Sequence, residues 1–191
     1  MIKGPTFKWL RFVSIIGVVV TGIVACKEAP VSFGHREAFM RVIDSELANY
    51  AAHNDGCFPN GHDSYAALAK LHPDYCEAGS ELAGLSGNIQ QVTNALAKGV
   101  SISNLTSWVY IPGLREGDDP RIAILWESMA GLTQAGKVSS QKTRPVLLLD
   151  RSITNVPAAN WESFTKQQEQ FRNAVQAKRA AATNAPPQTT R

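Results

Sequence analysis

Apolar residues divide the chain into one unbroken apolar run, a helix-rich stretch and a strand-rich stretch. Residues 12–25 are almost all apolar or small. Apolar side chains then recur every three or four residues, at Phe39, Ile43, Leu47 and Tyr50. That spacing places them on one face of a helix. The sequence therefore predicts an amphipathic helix over 34–53, which must pack against another element and which ends at Asn54-Asp55-Gly56.

Shorter helices are predicted in the next part of the chain. Asp63 or Ser64 can cap a helix that ends before Pro73, and Ser80 can cap a second one with the sequence ELAGL. Apolar and polar residues alternate only weakly over 88–98, so this segment is compatible with a helix or a strand.

The pattern changes after residue 105 to short runs rich in β-branched and aromatic residues. These runs are TSWVYIPG, RIAILWES and RPVLLLDRSITNVP, and the last contains two strands joined at Asp150-Arg151. Residues 129–144 form a predicted surface connection. Asn160 is predicted to cap a final helix over 161–181. This order of elements predicts an α+β fold, with helices packed on a small antiparallel sheet and a helix at the C-terminus.

The apolar run near the start has the anatomy of a secretory signal. Lys3, Lys8 and Arg11 precede it, and it ends at small residues. It is shorter than the roughly twenty apolar residues that span a bilayer, so a cleaved signal peptide over residues 1–25 is predicted. The tetrad IVAC that ends at Cys26 resembles the lipobox of bacterial lipoproteins. The resemblance implies that Cys26 becomes the first mature residue and carries lipid, such as palmitate, that anchors the protein in the membrane.

Two other interpretations of the N-terminal segment stay open, an uncleaved anchor helix and an ordinary signal cut nearby. In the lipoprotein interpretation, residues 26–33 form a tether, 34–182 the folded domain and 183–191 a disordered tail. Lys27 stands where some enteric lipoproteins carry the Asp that retains them at the inner membrane. Its presence favours the outer membrane, with the domain in the periplasm of the bacterial cell envelope.

The charge of the chain argues against nucleic acid as a partner. The formal net charge is +3, but three basic residues leave with the signal, so sixteen basic and sixteen acidic residues remain. A nucleic-acid binder normally carries a basic excess and a basic patch with interleaved aromatic residues. Neither is visible here. From Lys166 onward, the final helix and tail carry five basic residues and one acidic residue, Glu169, which suits anionic lipid head groups or peptidoglycan, or a solvated helix face.

The three cysteines fit an exported protein. With Cys26 taken by lipid, Cys57 and Cys76 remain as one pair in an oxidising compartment, and a disulfide between them is predicted. Its loop would stabilise the fold by roughly 3 kcal/mol. Two buried thiols are the alternative.

Several segments together resemble the pseudopilin-like proteins of type II secretion. The segments are NYAAHNDGCFPN, SWVYIPGL, IAILWE and VLLLDRSITNVPAANW, and the similarity covers residues 36–165. It implies a first helix packed on an antiparallel sheet and a structural role in envelope assemblies. Asp150 matches the Asp of the terminal His-x9-Asp-Gly signature, but Ser140 stands at the His position and Arg151 at the Gly position. Arg151 therefore implies a different turn. The chain also lacks the Gly-Phe junction and the Glu that prepilin processing uses.

Candidate chemistry is sparse. The loop with Glu116, Asp118 and Asp119 offers clustered oxygen ligands that suit calcium, or else it is a solvated acidic turn. The four histidines, His35, His53, His62 and His72, have no metal-ligand spacing, although His53, His62 and Asp55 can meet if the loop folds back. Ser86 and Ser128 lack a GxSxG setting, and no phosphate-binding glycine loop is present. Three tryptophans, Trp108, Trp126 and Trp161, are expected in core or sheet packing.

Three hypotheses follow from these observations. The first is a lipid-anchored envelope protein whose pilin-like domain is a non-catalytic structural or interaction subunit, through an envelope partner or self-assembly. The second is a divergent pseudopilin that keeps its N-terminal anchor helix. The third is a secreted enzyme or ligand-binding protein.

Overall fold

A four-stranded antiparallel sheet with helices on both faces forms the framework of the domain. The computed structural model describes residues 33–76, 79–84, 88–131 and 142–184. The helices are α1 (Phe33–His53), α2 (Ser64–Leu68), α3 (Gly79–Ala83), α4 (Ile89–Ala97) and α5 (Trp161–Thr183), and the strands are β1 (Trp108–Tyr110), β2 (Ala123–Glu127), β3 (Thr143–Leu148) and β4 (Ile153–Pro157). The predicted α+β class is confirmed, and the weakly patterned segment 88–98 forms a helix.

The strands follow one another across the sheet in chain order. Each pairs with its neighbour in antiparallel register, with Tyr110 opposite Leu125 and Val146 opposite Thr154. The register between β2 and β3 shifts between Ala123 and Leu125, so β2 contains a bulge. A bulge leaves backbone groups without a ladder partner and bends the strand.

Successive residues of β3 contact different layers, as the pleat of a strand requires. Leu147 packs into the larger core with α1, whereas Val146 and Leu148 belong to a smaller cluster that α5 covers with Trp161 and Phe164. The domain therefore has three layers: α1 and the short helices, the sheet, and α5.

Helix α1 buries the stripe that its periodicity predicted. Met40, Ile43, Leu47 and Ala51 are buried, and Phe39 and Tyr50 are partly buried against the same core. The helix ends as predicted at the Asn54-Asp55-Gly56 segment. Gly56 has φ +71°, and its N–H returns to the carbonyl of Ala51 at 2.9 Å. Positive φ is inexpensive for glycine, so the chain can leave the helix in a sharp turn.

The caps agree with the sequence at the start of α2 and differ later. The Asp63 carboxylate accepts hydrogen bonds from the N–H groups of Tyr65 and Ala66, so Asp63 is the predicted cap. Helix α3 begins at Gly79, so Ser80 lies within its first turn instead of preceding it. Asn160 occupies the predicted N-cap position of α5, but its side chain makes no capping hydrogen bond. Its carbonyl instead accepts from the Ser163 hydroxyl at 2.9 Å.

Trp108 fixes β1 against α3. It is fully buried, and its indole N–H donates to the carbonyl of Glu81 at 2.8 Å. This close approach requires Gly84, which has φ +70° and whose missing Cβ would lie 3.0 Å from the Trp108 indole nitrogen. On the outer edge of β1, the Tyr110 N–H donates to the Ser64 hydroxyl at 2.7 Å. Helix α2 therefore covers this edge of the sheet.

Helix α5 is docked on the sheet by a buried polar side chain. Gln168 is 4% exposed, its Oε1 accepts from the Ala123 N–H at 2.7 Å, and its Nε2 donates to the Arg121 carbonyl at 3.1 Å. These are backbone groups at the start of β2, next to the bulge. Gln168 thus supplies the hydrogen bonds that a sheet partner would otherwise make to these backbone groups. The Arg121 guanidinium also stacks on the ring of Phe171 in α5, 4.3 Å from its centroid.

Candidate functional site

A pocket lies where α1 crosses the turn between β3 and β4. Its volume is about 250 Å³, and the loop that carries Glu116 closes its other side. Buried apolar side chains form the floor: Leu47, Phe58, Ile124, Leu147 and Leu149. Charged side chains form the rim: Asp44, Glu116, Asp150 and Arg151. This pocket therefore combines an apolar floor with four charged residues on its rim.

The turn beside the pocket is a three-residue loop. The Leu148 N–H donates to the Ser152 carbonyl, and the Arg151 N–H returns to the Leu148 carbonyl, both at 2.9 Å. Arg151 has φ +68°, a left-handed conformation that costs a non-glycine residue about 1–2 kcal/mol. The strands meet at Asp150-Arg151 as predicted, and the turn is longer than a two-residue hairpin. Arg151 nevertheless takes the positive φ that the sequence argument associated with glycine.

Contacts with α1 explain why an arginine is held in this conformation. Arg151 Nε lies 3.1 Å from Asp44 Oδ1, and Arg151 Nη2 lies 3.1 Å from Oδ2 of the same carboxylate. Arg41 Nη1 donates to the Arg151 carbonyl at 2.7 Å. The Asp44 side chain is 8% exposed and that of Arg151 is 56% exposed, so the pair spans the boundary of the core. Hydrogen bonding to Asp44 raises the pKa of Arg151. Together these contacts clamp the turn onto the helix.

The pocket has a negative rim above an apolar floor. Arg151 compensates the charge of Asp44, whereas Glu116 and Asp150 are exposed and add two more carboxylates. The Ser152 hydroxyl and N–H both donate to Asp150 Oδ1 and lower its pKa, so it stays ionised. Such a pocket suits one apolar side chain that ends in a hydrogen-bond donor or a cation. Its volume is below the 300–1,000 Å³ typical of small-molecule sites.

The three predicted calcium ligands do not converge. Asp118 pairs with Arg179 and also accepts from the Arg115 N–H at 2.8 Å. Asp119 pairs with Arg121 at 2.7 Å, and this hydrogen bond lowers the pKa of Asp119 to about 2. Glu116 points toward Gly56 on the pocket rim. Within the described ranges, no group of three or more His, Cys, Asp or Glu side chains has a geometry that could hold a metal ion.

His53 and His62, which could have met Asp55 if the loop folded back, have other neighbours. His53 faces the ring of Tyr75 at 5.9 Å, and His62 lies 3.2 Å from Asp63. They do not meet Asp55. The tryptophans lie in packing positions as expected: Trp108 is buried, and Trp126 contacts Trp161 edge to face with ring centroids 5.9 Å apart.

The predicted disulfide between Cys57 and Cys76 is not present in this structure. Cys57 is half-buried in a backbone bridge to Arg115, and its sulfur lies 3.8 Å from the Asp55 carbonyl. Cys76 is buried in the core, with its sulfur 3.5 Å from Glu81 Oε2. Cys57 lies before α2 and Cys76 follows the short helical segment after it, so the number and positions of the cysteines in the sequence did not decide whether they pair. Burial raises the pKa of the Cys76 thiol to about 12.

Several predicted positions lie outside the described residues. They include the lipidation candidate Cys26, the apolar run before it, Ser86 and Ser140. Among the residues that the structure does describe, no helix has both the length and the apolar character needed to cross a bilayer.

Sequence patterns missed the two polar side chains that organise the site and the fold. Asp44 sits among the polar positions of α1, and nothing in its spacing separates it from solvated neighbours. Gln168 lies in a run of polar residues on α5. The one available signal was Arg151, because an arginine at a hairpin position that favours glycine needs a compensating partner. Comparisons of the chain with protein-family models, with curated proteins and with solved structures gave no match.

Proposed function

We propose that this protein is an exported bacterial lipoprotein whose α+β domain acts as a non-catalytic interaction subunit in the cell envelope. The observation that carries the proposal is the N-terminal sequence, in which basic residues, an apolar run and the tetrad IVAC end at Cys26. The lipid on Cys26 holds the protein in the membrane, by preference the outer one, with the domain in the periplasm. Several acyl chains on one residue anchor stably where a single chain does not.

The position of the domain supports this anchoring. Helix α1 begins at Phe33, so residues 27–32 separate it from the lipid-bearing cysteine. Six extended residues reach at most about 20 Å. The domain therefore stays close to the bilayer surface and acts on partners within reach of it.

The packing of α1 on an antiparallel sheet supports a pilin-like interaction domain, since this is the arrangement that the resemblance implies. The Asp44–Arg151 clamp joins the helix to the sheet and gives the pocket rigid walls. A pocket of about 250 Å³ with a negative rim suits a single donor-ended side chain of an envelope partner or of another copy of the chain. The absent Gly-Phe junction argues against entry into a fibre through a processed prepilin helix.

Intact-mass analysis of the membrane fraction tests the anchor. The wild-type protein is expected to begin at Cys26 and to carry the added mass of acyl chains, with incorporation of labelled palmitate. Cys26→Ala is expected to lose the acyl mass and the label. Cys57→Ala is the matched control, because it removes a cysteine of the folded domain and leaves the anchor unchanged.

Two results would overturn the proposal. Retention of Met1 in the wild-type protein would favour a divergent pseudopilin with an uncleaved anchor helix. An unchanged mass and membrane partition in Cys26→Ala would show that lipid on this residue is not the attachment.

A further inference from the structure

The two edge strands of the sheet differ in how their outward backbone groups are used. The edges are β1 and β4. Odd-numbered residues of β1 bond to β2, so the N–H groups of Trp108 and Tyr110 face outward. Each donates to a side-chain hydroxyl, that of Thr106 at 3.1 Å and that of Ser64 at 2.7 Å. The donors of the β1 edge are therefore satisfied within the chain, and this edge does not offer them to a further strand.

The β4 edge is not closed in this way. The bond from the Ala158 N–H to the Lys142 carbonyl shows that the even-numbered residues of β4 bond to β3. The N–H groups of Ile153 and Asn155 therefore face away from the sheet. In the described part of the chain, neither group donates to a protein acceptor. An open groove of about 630 Å³ between β4 and α5 leaves room beside this edge.

The sequence of β4 favours pairing with another strand. The strand reads ITNVP and has no charged side chain. Natural edge strands are commonly protected by charged side chains, bulges or proline. Pro157 is the one such residue in β4, and it stands at the end of the strand. Ile153, Thr154 and Val156 are residue types that favour strands. The β4 edge is thus open along most of its length.

We propose that β4 pairs in antiparallel register with β4 of a second copy of this chain. A two-fold axis through Asn155, perpendicular to the sheet, joins the two four-stranded sheets into one. The Asn155 N–H then donates to the Asn155 carbonyl of the second copy, and the Ile153 N–H donates to the Pro157 carbonyl of the second copy. By symmetry each bond is made twice, so every outward donor of both strands has an acceptor. The Ile153 carbonyl lacks a strand donor, because Pro157 has no N–H.

The side chains that meet in this register are compatible. Thr154 lies opposite Val156 of the second copy on the α5 face of the sheet. Ile153 lies opposite Pro157 of the second copy on the α1 face. Cross-strand pairs of β-branched and apolar side chains stabilise a sheet, whereas like charges in opposite positions destabilise it. The pairing of β4 with itself brings no like charges together.

Helix α5 also permits this approach. The two-fold axis places α5 of both copies on the same face of the joined sheet. The wall that α5 presents beside β4 carries the uncharged side chains of Ser163, Gln167 and Gln170. The charged residue in this wall, Lys166, is paired with Glu162 at 2.8 Å. Carboxamides both donate and accept hydrogen bonds, so two identical walls can face each other without repulsion.

A closed dimer fits the two edges better than a row of copies. Growth in a row would bring β4 of one copy against β1 of the next, but the outward donors of β1 are already bonded. The contact between two β4 strands uses both open edges at once and leaves none for a third copy. Such a two-fold contact closes at the dimer, so we expect dimers and no filaments.

Amide hydrogen exchange of the full-length protein, resolved by NMR at each residue, tests the pairing. The protein is held in an excess of detergent micelles, so that two copies do not share a micelle by chance. We expect sedimentation to show a dimer with a Kd below about 1 mM. The amides of Ile153 and Asn155 should become protected from exchange as the protein concentration rises through this Kd.

A proline at position 155 tests the backbone bonds directly. Asn155→Pro removes an outward N–H and no bond to β3, a position at which edge strands tolerate proline. It is expected to weaken dimerisation at least about tenfold, because both bonds at the two-fold axis are lost. Asn155→Ala is the matched control, since it removes the same side chain and its hydrogen bond to Glu37 but keeps the N–H. It should dimerise like the wild type.

Three results would overturn the pairing. They are a wild-type protein that stays monomeric up to about 1 mM, a dimer whose Ile153 and Asn155 amides stay unprotected, and equal Kd values for Asn155→Pro and Asn155→Ala. Exchange in the wild-type protein measures the contact even if Asn155→Pro folds poorly. None of these measurements depends on lipid at Cys26, so they are distinguishable from a failure of the proposed anchor.

Discussion

Replacing Gln168 by Met should destabilise the domain by about 1–3 kcal/mol. Met has nearly the same length as Gln, favours helix and packs well in apolar surroundings, so the change removes hydrogen bonding and little else. The Ala123 N–H is then left in a fully buried position without its acceptor at 2.7 Å. A buried donor without a partner costs about 1–3 kcal/mol. Loss of the hydrogen bond to the Arg121 carbonyl destabilises the domain less, because Arg121 is exposed and water can replace the lost donor.

The assay is urea unfolding of the purified protein followed by far-UV circular dichroism, with the m-value compared between variants. Gln176→Met is the matched control, since Gln176 is exposed on the same helix. We expect it to change the free energy of unfolding by less than about 0.5 kcal/mol. A Gln168→Met variant as stable as this control would refute the role of Gln168 as the docking contact of α5.

Gln168→Glu adds a pH-dependent test of the same contact. The carboxylate keeps an acceptor for Ala123 but places a buried negative charge against the Arg121 carbonyl, which raises the pKa of the introduced acid in the folded state. The folded protein then binds the proton more tightly than the unfolded chain does. The destabilisation should therefore be small below the ordinary Glu pKa of about 4.3 and should grow as the pH rises. A penalty independent of pH would contradict this geometry.

Three further predictions address the clamp, the thiols and the α2 cap. In a double-mutant cycle, Asp44→Asn and Arg151→Gly should show a coupling energy of about 1 kcal/mol. The exposed Glu162–Lys166 pair is the comparison and should show roughly 0.3–0.5 kcal/mol. Equal coupling energies would mean that the Asp44–Arg151 clamp stabilises the fold no more than an exposed ion pair does. Iodoacetamide at pH 8 should alkylate Cys57 well before Cys76, because burial raises the pKa of the Cys76 thiol to about 12. Peptide mapping of the alkylated protein measures this order. If neither cysteine is modified until reductant is added, the two form a disulfide instead. The hydrogen bond from the Ala66 N–H lowers the pKa of Asp63 below its ordinary value of 3.8. The ionised Asp63 carboxylate therefore stabilises the fold above pH 3.8, and this stabilisation is lost as the pH falls through the pKa of the folded state. The stability difference between wild type and Asp63→Asn should therefore shrink in acid unfolding curves below about pH 4, and a constant difference would count against the cap.

The helices and strands with the clearest periodicity were predictable because their residues meet local rules. The stripe of α1, the Asp63 cap and the runs that form β1 to β4 each depend on neighbours within a few positions. The structure contains no Cys57–Cys76 disulfide, and Asn160 occupies its predicted N-cap position without a capping side-chain hydrogen bond. Whether two cysteines meet depends on where distant elements lie, which local patterns do not specify. The candidate calcium ligands are held by arginines instead. Arg179 approaches Asp118 from α5, a contact that only the fold decides, whereas Arg121 pairs with Asp119 two residues away in the chain.

Local patterns in the sequence are enough to predict the α+β class, the order of elements and the amphipathic face of α1, because hydrophobic periodicity and turn residues act over a few neighbouring positions. It also supplies the whole basis for the proposed lipid anchor at Cys26. The fold in three dimensions was needed to show that Asp44 meets Arg151 across 107 positions and that Gln168 completes the bulged strand. These contacts join residues far apart in the chain, and their geometry follows from the packing of helices on the sheet.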